Sequence, residues 1–184
     1  MKLTSCVIAS ALLAPVCLTT SASQEPGPSA QARLQDAQPK VEKKFDSARN
    51  ETTVGIKMLL IRGTETEKIV ITAEATYATE SPKKHPEDVV FIISALSTSY
   101  RYPDINQLII TCDGKRLSPI LLLNLDKRPA EPLFLETLGT RMKYDVFMKL
   151  AKAKSAQLEF GDTSLVLTDS HLALLGELAD LMHL

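Results

Sequence analysis

The 184-residue chain has no tryptophan and only 5% aromatic residues, which removes the stacking platforms on which a carbohydrate-binding reading would rest. Histidine is equally scarce. His85, His171 and His183 are the three present, and no two of them stand at a helical or strand spacing that would give a metal two ligands, so no metal site is expected. The seven glycines form no Gly-x-Ser-x-Gly elbow and no phosphate-binding loop, and neither a His-Glu-x-x-His helix nor a calcium loop is present. No cofactor is implied. An excess of one charge is missing too, with 21 basic against 22 acidic residues, so there is no nucleic-acid footprint. No stretch approaches the roughly 20 apolar residues of a membrane helix, and no transmembrane segment is expected in the mature chain.

What is present begins with the first 22 residues. Lys2 provides a small positive region, residues 6–14 an apolar stretch too short to span a bilayer, and Pro15 a break before Thr20-Ser21-Ala22. This pattern reads as an export signal cleaved after Ala22, which places the mature protein in the periplasm or outside the cell. A lipoprotein signal ending at Cys17 is the rival reading, but Pro15 and Val16 fit it poorly. Loss of residues 1–22 removes Lys2 and no acid, taking the net charge from −1 to −2. Cys112 is then the only cysteine left, so no intrachain disulfide can form. Its spacing of two from Leu108 and Ile110 puts it on an apolar strand face, as an inert buried thiol.

Residues 23–40 contain three prolines and one leucine and read as a flexible leader. Residues 41–184 form one block of ordinary domain size with no internal repeat. Within it the strand signals come first. Ile69, Ile71, Ala73, Ala75 and Tyr77 alternate with Val70, Thr72, Glu74 and Thr76, the period of a strand with one wet face. Residues 89–96 and 120–123 are apolar on both faces and read as central strands covered on both sides. Residues 53–61, 107–112 and 133–138 complete the set, with separators at Gly63, Ser81-Pro82, Tyr102-Pro103 and Arg128-Pro129. Asp113-Gly114 predicts a type I′ hairpin between residues 108–112 and 117–125, and Gly161-Asp162 a type II′ turn between residues 156–160 and 164–167.

Helical signals come last. Val146, Phe147, Leu150 and Ala151 share one face of a helix over about 143–153, with Asp145, Lys149 and Lys152 opposite. A second helix covers about 169–182, capped by Thr168 or Asp169, with Leu172, Leu175, Leu178, Ala179 and Met182 as its core stripe. Because helices do not alternate with strands, the fold class is α+β. An antiparallel sheet or two-sheet sandwich carries two helices in its C-terminal part, the last packing on the sheet.

Few residues point to chemistry. His171 falls in the first turn of the last helix, and a lone histidine there is explained by partial burial. Asp104, Asp113 and Asp126 sit beside turn residues, where aspartate serves local hydrogen bonding. Lys143, Lys149, Lys152 and Lys154 make a basic helix face that reads as solvated surface. The segment Ser97-Thr98-Ser99-Tyr100-Arg101-Tyr102-Pro103 gathers two of the four tyrosines around an arginine. Tyrosine and arginine are enriched at binding hot spots, so Tyr100, Arg101 and Tyr102 are the candidate binding residues, against the plainer reading of tyrosines covering a sheet edge.

The C-terminal half, over about residues 108–183, resembles uncharacterised exported bacterial proteins. The likeness is carried by Asp113-Gly114-Lys115-Arg116-Leu117 at a hairpin, by residues 147–154 on a helix, and by Gly161 and Leu165-Val166-Leu167-Thr168 leading into residues 172–182. It implies an exported β-rich domain with a terminal helix and transfers no activity. The functional expectation is a secreted or periplasmic binding or structural module without catalysis, its partner another envelope or extracellular protein. An exported hydrolase assembled from His171, Asp113 and a serine of residues 97–99 is the alternative.

Overall fold

A computed structural model describes residues 39–182; residues 1–22, read above as an export signal with Cys6 and Cys17, most of the stretch read as a leader, and His183 lie outside the described residues. Thirteen elements follow: β1 (Val41–Asp46), β2 (Glu51–Gly63), β3 (Glu67–Tyr77), β4 (Asp88–Ser97), β5 (Gln107–Cys112), β6 (Lys115–Arg116), β7 (Ile120–Leu121), β8 (Leu123–Ala130), β9 (Leu133–Lys143), α1 (Tyr144–Ala151), β10 (Ala156–Phe160), β11 (Thr163–Leu167) and α2 (Asp169–Met182). They build two antiparallel sheets. The larger has the order β1-β2-β3-β4-β9-β8, and the smaller runs β11-β10-β5-β6 with β7 also paired to β5. The α+β class with two sheets and a last helix packed on a sheet is the architecture found.

The alternation in β3 decides which face of the large sheet turns inward. Ile69, Ile71, Ala73, Ala75 and Tyr77 are buried, joined on β4 by Val89, Phe91, Ile93 and Ala95 and on β9 by Leu138 and Met142. Against this face lie Leu108, Ile110 and Cys112 of β5, Leu158 and Phe160 of β10, Leu165 and Leu167 of β11, and the apolar sides of both helices. Phe147 and Leu150 of α1 and Leu175, Leu178 and Ala179 of α2 are completely buried, and α2 packs on α1 and β2. One contiguous core results. No helix among the described residues is long and apolar enough to cross a membrane.

Turn chemistry follows the sequence closely. Asp113 and Gly114 both take positive φ, 50° and 75°, as a type I′ turn requires, and Gly161 takes 57° between β10 and β11. Thr168 is the N-cap of α2. Its hydroxyl faces the His171 N–H at 3.4 Å while its own N–H donates to His171 Nδ1 at 3.2 Å, so a histidine takes the place that glutamate or glutamine usually holds in a capping box. The basic helix is shorter than expected, Tyr144–Ala151, because β9 continues through Lys143.

Two expectations need correction, and one strand carries no sequence signal. Residues 120–123 are not a covered central strand: Ile120 and Leu121 pair with β5, Leu122 is buried, and the chain then crosses to β8 at the edge of the large sheet, leaving Leu121 and Leu123 64% and 55% exposed. An apolar run that crosses between sheets has the same composition as a central strand, which is why the pattern misled. Arg128-Pro129 does not end a strand but lies inside β8, where an edge position tolerates the missing N–H. Strand β1, Val-Glu-Lys-Lys-Phe-Asp, carries too little apolar pattern to be read at all, since it is an exposed edge paired only with β2. Its charges blunt that edge. By contrast β4 is central, between β3 and β9, although its outward residues Val90, Ile92 and Ser94 are only half-buried.

Candidate binding site

Strand β4 ends at Ser97, and the chain must then cross from the large sheet to β5 of the small one. Ser97 Oγ donates to Ser99 O at 2.5 Å, turning the backbone, and Glu136 of β9 supplies the anchor. Glu136 stands on the same face as Leu138 and Met142 and is 0% exposed. Its two carboxylate oxygens accept the backbone N–H groups of Arg101 at 2.6 Å and Tyr102 at 3.0 Å. A buried carboxylate without such donors would carry a penalty of several kcal/mol, so the bonds fix both Glu136 and the crossing segment.

The side chains of the crossing segment diverge. Tyr102 points inward and is 0% exposed; its ring meets Phe160 at 5.2 Å, and its hydroxyl lies 3.0 Å from Thr163 Oγ1 and 3.3 Å from Glu67 Oε1. Burial raises its pKa above the ordinary phenol value. Arg101 lies at the surface, where its guanidinium bonds Glu67 and reaches Asp162 at 3.5 Å. Glu67 also takes Arg62 at 3.1 Å, and Arg62 passes a second bond of 2.6 Å to the carbonyl of Ser164. This network joins β2, β3, the crossing segment and the β10–β11 turn, closing one end of the sandwich.

Tyr100 is half-buried, between the exposed Arg101 and the buried Tyr102. The ring packs on Phe134 at 4.6 Å, with Lys127 Nζ 4.3 Å from its centroid. Lys127 comes from the edge strand β8 and Phe134 from β9, so an aromatic pair and a cation are held together where the large sheet ends. On the small sheet, Asp104, Ile105, Asn106, Gln107, Glu159 and Gly161 line an open depression of about 260 Å³. Tyr100 and Arg101 thus both reach the surface, Tyr100 toward β8 and β9 and Arg101 toward β3 and the β10–β11 turn, while Tyr102 belongs to the foundation between them.

The other candidates are spent locally. Asp113 Oδ1 accepts the N–H groups of Lys154 and Ser155 at 2.9 Å each, and His171 caps α2. Among the described residues no hydrogen bond joins Asp113, His171 and Ser97 or Ser99, and no group of three His, Cys, Asp or Glu side chains could hold a metal. Cys112 is buried, which raises its thiol pKa.

Glu67, Glu136, Lys127 and Phe134 were missed in the sequence. A signal existed for the two acids. Glu67 stands two before Ile69, and Glu136 two before Leu138, so each is a carboxylate in register with a core face. No family model matches the chain, and no curated protein or solved structure matches it either.

Proposed function

We propose that the protein is an exported, non-catalytic binding module that holds an envelope or extracellular protein partner at the surface around Tyr100 and Arg101. The observation that carries this reading is the Tyr100–Phe134–Lys127 cluster on a segment pinned by Glu136. A half-exposed tyrosine of fixed orientation offers a large contact area at small entropic cost, and its neighbouring cations add polar contacts at the rim. The chemistry nearby supports binding over turnover, because the carboxylates of Glu67 and Glu136 are occupied by arginine and backbone donors. Export rests on residues 1–22 alone.

The test is co-purification from the host. Mature protein beginning at Ser23 is expected to retain a defined partner that the Tyr100→Ala variant, shown by its unfolding curve to be folded, loses at least about tenfold, the penalty of a binding hot spot. Equal retention by both proteins would remove Tyr100 from the binding surface.

A further inference from the structure

The β5–β6 hairpin and the end of α1 are far apart in sequence but fastened together. Asp113 in the hairpin turn bonds the backbone of Lys154 and Ser155, and its N–H donates to Ser155 O at 2.9 Å. The fastening places Lys115 and Arg116 beside the helix end that carries Lys149, Lys152 and Lys154. All five side chains are exposed, and none of them forms an ion pair among the described residues. Asp113 is the only acid in residues 113–116 and 149–155, and its carboxylate is turned to backbone donors. A chain of net charge −1 thus concentrates five cations at one end of its small sheet.

We infer that this basic end docks on an anionic lipid surface. Four of the five cations are lysines, compact charges on flexible stems that follow a field of headgroups, whereas a discrete phosphate is better held by the arginine fork. No aromatic residue lies in residues 113–116 or 149–155, so there is no platform for a nucleic-acid base. The choice of a membrane rests on the export reading of residues 1–22, which brings a bilayer leaflet within reach. Tyr100 lies before the opposite end of β5, about 20 Å along a six-residue strand, so docking through the basic end leaves the partner surface free.

The experiment is co-sedimentation with vesicles of phosphatidylcholine alone, and with vesicles in which about one third of the lipid is phosphatidylglycerol. Wild-type protein is expected to bind only the anionic vesicles, and less as salt is raised. Each cation near such a surface contributes about a fivefold factor, so the variant carrying Lys115→Gln, Arg116→Gln, Lys152→Gln and Lys154→Gln is expected to lose at least about a hundredfold in affinity. A control with Lys43→Gln, Lys44→Gln, Lys83→Gln and Lys84→Gln loses the same charge from exposed sites elsewhere and is expected to keep most of the binding. Equal losses in the two variants, equal binding to both vesicle types, or binding to duplex DNA without vesicle binding would each overturn the inference.

Discussion

Two tyrosines two positions apart show how one short segment divides between core and surface. Tyr102 fills the space beside Phe160 and completes the bonds of Thr163 and Glu67, whereas Tyr100 stands half in water between Phe134 and Lys127. Tyr102→Ala is therefore expected to destabilise by about 3–5 kcal/mol, as removal of a buried aromatic ring does, and Tyr100→Ala by no more than about 1.5 kcal/mol. Urea unfolding of both variants checks this; a Tyr100 loss as large as that of Tyr102 would place both rings in the core. The sequence marked the segment but not the division. Tyr100, Arg101 and Tyr102 look alike as a hot-spot triplet, and what separates them is the grip of Glu136 on two successive backbone N–H groups. Glu136 comes from a strand some thirty-five residues away.

At the scale of elements, legibility follows burial. β3 and α2 were readable because each presents one apolar face to the core, so the period of the pattern and the period of the element agree. β1 and the crossing from β7 to β8 were not, because an edge strand and a sheet-to-sheet crossing have no such agreement. The start of α2 lies between these cases. Its histidine was recognised as a helix-start residue, but its reciprocal bonds with Thr168 depend on side-chain direction that spacing does not reveal. Burial lowers the His171 pKa below 6.5, and Nδ1 accepts the Thr168 N–H, so the neutral ring is the one the fold keeps. The unfolded chain, with its ordinary pKa, takes up the proton first as pH falls. The contribution is thus complete above about pH 6.5 and is lost as pH drops from there through the lower folded value. The unfolding free energy of the wild type is expected to fall more between about pH 7.5 and pH 5.5 than that of His171→Gln, which keeps a capping side chain but cannot be charged. Identical slopes for the two proteins would show that His171 titrates alike in both states.

For the whole molecule, the two sheets and two helices around one core provide a rigid frame whose two ends differ in chemistry. One end is closed by the Glu67–Arg62–Arg101–Asp162 network and displays Tyr100; the other gathers Lys115, Arg116, Lys149, Lys152 and Lys154 around the Asp113 turn. This division of surfaces is what the binding-module account explains. The most direct measurement places a photoreactive phenylalanine analogue at position 100, and separately at position 57 on the exposed side of β2, and irradiates host cells producing each protein. The account predicts a discrete cross-linked adduct from position 100 that is absent from position 57. No adduct from position 100, or the same adduct from both positions, would contradict it.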